Sequence, residues 1–164
     1  MTANVSAPDD VSSAIKDERL GRLYEYWLTR KGNRSFPARR DIDPLEFRYV
    51  LGWVMLVDVL HDPLRFRVRL HGSEMVQQAG YELTGKFLDE LPDAEYRDYV
   101  IEQCRGLVSR SEPLVIHHNR VLDGRLRRYE ALWLPFSDDD RTVDMLLCAL
   151  IYDKRIAEQA TASD

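Results

Sequence analysis

LRFRVRLHGSEMVQQAGYELTGKFLDELP (64–92) decides how the rest of the chain is read. It opens as a period-two strand in which Leu64, Phe66, Val68 and Leu70 point one way and Arg65, Arg67 and Arg69 the other. His71-Gly72 breaks the strand. A short helical turn follows, with Met75, Val76 and Ala79 as its apolar positions and Gly80 as its end. Tyr81 to Gly85 is a second turn, and Phe87, Leu88 and Leu91 form one more apolar cluster before Pro92. Short helices separated by glycines have little stability of their own. They suit the deformable wall of a hollow better than a tight core.

Working outward, WVMLVDVL (53–60) is β-rich and apolar on both faces, and the turn His61-Asp62-Pro63 joins it to the arginine-alternating strand as a hairpin. On the far side, Asp93 caps a longer helix over about 94–109, whose inner stripe is Tyr96, Val100, Gln103 or Cys104, and Leu107. Three strands follow: 114–121, 128–136 and 143–152, the first two joined by the hairpin signal Asp123-Gly124. Upstream, Leu20, Leu23, Tyr24, Trp27 and Leu28 recur at helical spacing within 12–31, and Gly32 is the stop. Residues 33–42 read as loop. Asp43-Pro44-Leu45-Glu46 starts a short helix that ends at Gly52, with Asp43 as cap and Glu46 closing a capping box. Strands with helices gathered between them give an α+β domain. The expected layout is a disordered tail (1–11), a helical extension (12–52), the sheet domain (53–153) and a polar tail (154–164).

Composition narrows the function. The chain has 164 residues, 45% hydrophobic and 31% charged, with a formal net charge of −5. An acidic chain without a recognition helix gives no support to nucleic-acid binding. No apolar run is long enough to span a bilayer. The start has neither a basic nor an apolar signal region. Cys104 and Cys148 lack metal-ligand spacing and read as buried free thiols of a reducing compartment, so a cytoplasmic protein is expected.

GYELTGKFLDELP (80–92) resembles the segment of PAS domains that reads GY, a few residues, GK, then an aliphatic-acidic run. RRYEALWLPFSDDDRTVDMLLCALIYD (127–153) resembles the PAS carboxy half, with Pro135-Phe136, the acidic turn Asp138 to Asp140, and a closing Tyr152-Asp153. Many PAS domains close with Asp-Ile-Thr; this chain has Asp153-Lys154-Arg155. YWLTRKGNRSFPARRDIDPLEF (26–47) is similar to the leader of a group of stand-alone bacterial PAS proteins, in which a Tyr-Trp helix and a P-x-R-x-D-I-D-P segment precede the sheet. The resemblance implies a five-stranded antiparallel sheet with helices on one face, preceded by an N-terminal helix. It also implies a sensory or adaptor module, not an enzyme, that signals through a protein partner and holds a small ligand or nothing in its cavity. Fold alone does not assign function.

The cavity is expected between the sheet and the wall 73–108, lined by Phe66, Val68, Met75, Phe87, Tyr99, Cys104, His118 and Trp133. Haem and covalent flavin are not expected. The long helix has no histidine to ligate iron, and Gln103-Cys104-Arg105 matches only part of the flavin-binding Asn-Cys-Arg pattern, at the wrong place. His117 and His118 point to opposite faces of one strand, whereas His61 and His71 sit at turns and are expected to be solvated. An alternative is a small enzyme using the same cavity, with His118, Glu130, Asp58 and Tyr129 as ingredients that form no recognisable motif. Another is a cavity-less interaction module filled by Phe66, Met75, Phe87 and Trp133.

Arg65, Arg67, Arg69, Arg120, Arg127 and Arg128 are placed on neighbouring strands as one basic face, balanced by acids or docking an acidic protein patch. The first and last strands are apolar on both faces, which a sheet with one wet face should not be. Something must cover the second face. The helix carrying Leu20, Leu23, Tyr24, Trp27 and Leu28 is the candidate, over its own sheet or a second copy's, and the PAS resemblance points to a homodimer through it.

Overall fold

The computed structural model describes residues 2–5, 11–122 and 125–152. The elements are β1 (Thr2–Val5), α1 (Val11–Ala14), α2 (Glu18–Lys31), β2 (Val54–Leu60), β3 (Arg65–His71), α3 (Ser73–Ala79), α4 (Ala94–Arg110), β4 (Leu114–Leu122), β5 (Arg125–Phe136) and β6 (Met145–Tyr152). All pairings in the six-stranded sheet are antiparallel, in the order β1-β4-β5-β6-β2-β3. The five expected strands are therefore present, with β2 returning beside β6. The Asp123-Gly124 turn and the tail from Asp153 lie outside the described residues.

The sixth strand departs from expectation. Thr2–Val5 was expected in a disordered tail, but it pairs with β4, from Thr2 opposite Asn119 to Val5 opposite Ile116. Without it, β4 would present a row of unpaired backbone groups at the sheet edge. Four residues are too few for alternation to announce such a strand.

Two cores form, one on each face. On the first, α3, α4 and the 3₁₀ turn Leu88–Glu90 cover Val57, Val59, Phe66, Val68, Ile116, Ala131, Trp133 and Cys148. On the second, α2 and the segment 42–53 cover Val54, Leu56, Val115, Leu132, Leu134, Met145, Leu147 and Ala149. Leu20 and Leu23 are fully buried there, and Trp27 is 4% exposed. The Trp27 indole N–H donates to the Pro135 carbonyl at 2.8 Å. Leu20, Leu23 and Trp27 thus cover the chain's own sheet and present nothing to a second copy. Tyr24 and Leu28 are half-buried beside them. Each large side chain removed from water in this way contributes about 1.5–3 kcal/mol, an upper figure.

Local chemistry sets the other boundaries. The helix expected over 12–31 is interrupted because the Glu130 carboxylate accepts the Lys16 and Asp17 amides at 3.0 and 3.1 Å. Asp17 then caps α2 by accepting the Arg19 amide at 2.9 Å. Asp43 caps as expected, but two 3₁₀ turns, Pro44–Phe47 and Leu51–Trp53, follow in place of one helix. Glu46 closes no capping box; it pairs with Arg30. Among the described residues no helix is long and apolar enough to cross a membrane.

The alternation read in β3 is broken by a bulge. Val57 pairs with Val68, and Leu56 pairs with Leu70, leaving Arg69 as the extra residue. Phe66 and Val68 face the α3–α4 side, but Leu70 is turned onto the α2 side. His71 is thereby carried to the α3–α4 side, opposite Met55. Gly72 follows where a Cβ would lie 2.3 Å from the Gly52 carbonyl, so only glycine fits this approach.

If α2 is an integral layer, Trp27→Ala lowers the free energy of unfolding by about 3–5 kcal/mol in urea denaturation. A loss below about 1 kcal/mol would show that the second face does not need the helix.

Candidate functional site

A cavity of about 130 Å³ lies between the sheet and the α3–α4 wall. Met55 and His71, paired across β2 and β3, form one side. Met75 and Ala79 of α3, then Tyr81, Leu83, Leu88 and Leu91, form the short-helix wall. Tyr96 and Val100 project from α4, and Tyr129, Leu150 and Tyr152 close the floor from β5 and β6. Pro92 and Asp93 sit at the rim, where Asp93 caps α4 by accepting the Tyr96 amide at 2.9 Å. The hollow anticipated from the glycine-separated wall is present, against the cavity-less reading.

Of the expected lining, Met75 alone borders this space. Phe66, Val68, Cys104 and Trp133 are buried in the same core but fill it away from the opening. Phe87 is half-buried under the Arg65 guanidinium, 3.5 Å from the ring centroid. Tyr99 and His118 stand one layer behind the floor, with ring centroids 4.9 Å apart. The His118 Nδ1 is hydrogen-bonded to the Tyr129 hydroxyl, and the Tyr129 ring packs 5.6 Å from Tyr152. Alternation assigns a face, but not how far along a strand the hollow lies.

His71, expected to be solvated, has a side chain only 4% exposed. Its Nδ1 accepts the Leu83 amide at 3.2 Å. An amide can only donate, so this nitrogen carries the lone pair, and the neutral ring carries its proton on Nε2. Burial lowers the His71 pKa, against the opposing pull of Glu82 at 3.6 Å. Burial also pushes the Tyr96 and Tyr99 hydroxyls up, and both thiols, Cys104 and Cys148, far above their ordinary range. His61 sits at an exposed turn, as expected, with Nε2 3.0 Å from the Val143 carbonyl.

The other enzyme ingredients do not converge on the cavity. Asp58 projects to the α2 side, within 2.8, 3.0 and 3.4 Å of Arg39, Arg69 and Arg67. Burial works against its charge, but Arg69 and Arg39 outweigh it and hold the carboxyl below its ordinary range. Glu130 is 8% exposed and faces the same side, holding the Lys16 and Asp17 amides and lying 2.9 Å from the His117 Nε2. Nor is there one basic face. β6 and β2 separate the arginines of β3 from those of β4 and β5. Arg65 pairs with Asp89, Arg127 reaches Gln78 at 3.5 Å, and the Arg120 side chain lies outside the described residues.

A second, open cleft of about 670 Å³ lies at the α1–α2 joint, bordered by Lys16, Asp17, His117, Arg128 and Glu130. Tyr129 and Tyr152 border this cleft and the smaller cavity alike. The floor of the cavity is therefore also a wall of the joint that Glu130 holds.

A family model described as PAS domain matches residues 15–151. No curated protein matches the chain. Among solved structures, the PAS domain of BvgS from Bordetella pertussis is similar with a TM-score of 0.55 and 19% identity, over 74% of this chain and 94% of that one. The LOV protein of Rhodobacter sphaeroides has a TM-score of 0.48 and 14% identity, over 74% of each chain. A domain of an HTR-like protein from Haloarcula marismortui has a TM-score of 0.42 and 16% identity, over 60% of this chain and 96% of that one. At such identities the likeness speaks to the fold alone.

The neutral His71 makes a pH prediction. Its pKa is lowered in the folded state from an ordinary 6.5, so its contribution is intact above that value and is lost as pH falls through the folded pKa. Protonation would set a hydrogen on Nδ1 against the Leu83 amide. His71→Asn keeps an acceptor for that amide and cannot protonate. Its melting temperature therefore falls less than wild type between about pH 7.5 and 5.5. Equal slopes in the two proteins would contradict the assignment.

Proposed function

The chain belongs to the PAS domain family, and on that premise we propose that it is a small-molecule sensor whose occupied cavity changes the hold on its N-terminal helix and so its contact with a protein partner. One observation carries this reading. Tyr129 and Glu130 are consecutive on β5 and point to opposite faces. Tyr129 lines the cavity, while Glu130 grips the backbone where α1 meets α2. A ligand that shifts Tyr129 and its neighbour Tyr152 moves the strand that carries Glu130. Coupling of this kind needs a ligand that favours one arrangement over the other. The cavity supplies the differential contact, and the short wall of α3 supplies an element of low intrinsic stability.

A cytoplasmic location and a homodimer belong to the same proposal. Leu20, Leu23 and Trp27 are taken up by the chain's own sheet. The outward side of α2, with Tyr24 and Leu28 half-buried, is the surface offered to a second copy or to a signalling partner.

Benzene and pyridine are neutral rings of suitable size to probe the cavity. At least one raises the melting temperature, as ligand linkage requires. Its occupancy changes hydrogen exchange at the Lys16 and Asp17 amides, on the opposite side of the sheet. Binding of neither ring, or binding with unchanged exchange at that joint, would overturn the proposal.

A further inference from the structure

We infer that the cavity selects a neutral, ring-sized molecule carrying a hydrogen-bond acceptor, which His71 reads through its Nε2–H. The inference rests on the preceding reading of the cavity as the sensory site, and goes beyond it by assigning the ligand's chemistry.

His71 has a fixed tautomer. The Leu83 amide occupies Nδ1, so Nε2 is a donor on the other side of the ring, which borders the cavity. Among the described residues nothing is placed to accept from Nε2, although the side chain is 4% exposed. This donor belongs to a ring that lines the cavity, and a ligand oxygen or ring nitrogen gives it a partner.

Size sets the second limit. The cavity holds about 130 Å³. A cavity of roughly 150 Å³ takes one benzene, so the space suits a single small ring and little more. Met55, Met75 and Leu150 give it an apolar, adaptable bed.

Charge sets the third. Among the described residues no lysine or arginine borders the cavity, and the one carboxylate there, Asp93, is engaged in capping α4. An anion would be buried without a counter-charge and near a like one. Tyr81, Tyr96, Tyr129 and Tyr152 offer ring faces to a cation, but the cation would meet a donor at His71, whose lone pair is already committed to Leu83. A neutral acceptor satisfies all three conditions.

The test measures affinities of pyridine and benzene at about pH 8, where pyridine is neutral, for wild type, His71→Asn and His71→Gln. Asparagine keeps the acceptor for Leu83 but loses the donor into the cavity; glutamine places an amide N–H near the Nε2 position. The preference for pyridine over benzene falls about tenfold in His71→Asn, the worth of one buried hydrogen bond, and is restored in His71→Gln. Benzene still binds each variant, and any change in its affinity measures the altered cavity shape, which the pyridine-to-benzene ratio removes. Should either variant fail to fold, the His71 Nε2–H resonance of ¹⁵N-labelled wild type shifts downfield with pyridine, as a hydrogen bond requires, and not downfield with benzene. An unchanged ratio across the variants, or an unmoved resonance, overturns the inference while leaving the cavity reading in place. Binding of neither ring overturns both. Tetramethylammonium binding more tightly than either ring would reassign the cavity to a cation.

Discussion

A sheet that is apolar on both faces has to be covered on both faces. That constraint organises the whole molecule. β2 and β6 are buried along almost their entire length, on alternating sides. One side is covered by α3 and α4, the other by α2 and the segment leading to β2. The two covers are not alike. α2 is a capped, fourteen-residue helix with two leucines and a tryptophan fully engaged. α3 is seven residues long and is followed by turns. The hollow lies under the weaker cover, where a few side chains fail to meet.

The two buried carboxylates of this apolar sheet hold the stronger cover. Asp58 and Glu130 are both buried on the α2 side. A buried carboxylate must find charged or amide partners. Asp58 finds Arg39, just ahead of the 3₁₀ turns, and Glu130 finds the amides that open α2. The N-terminal segment is thus tied to the sheet by two carboxylates from two different strands. Leaving one of them without its partners costs about 3–5 kcal/mol. Because strand neighbours face opposite ways, the residue next to Glu130 is the one that faces the hollow. In the proposed reading, that one strand connects the cavity to the N-terminal joint.

Much of this was legible in the residues. The hairpin, the long helix with Val100, Cys104 and Leu107 inward, the closing strands and the need for a second cover follow from period-two and helical spacing. The site was far less legible. Phe66, Val68 and Trp133 have the right face but the wrong distance along their strands, so they pack beyond the cavity. Tyr129 and Tyr152 have the same facing and sit at its floor. His71 was hidden by the bulge at Arg69, which reverses the alternation just before it. β1 escaped because it exists only through the backbone of β4.

The account stands or falls on α2 being part of the cooperative unit and not a detachable arm. Native-state hydrogen exchange measures this directly. Amides in the middle of α2 should open with a free energy within about 1 kcal/mol of the central amides of β5 and β6. If the helix opens several kcal/mol below the sheet, the second face tolerates water and the central claim is wrong.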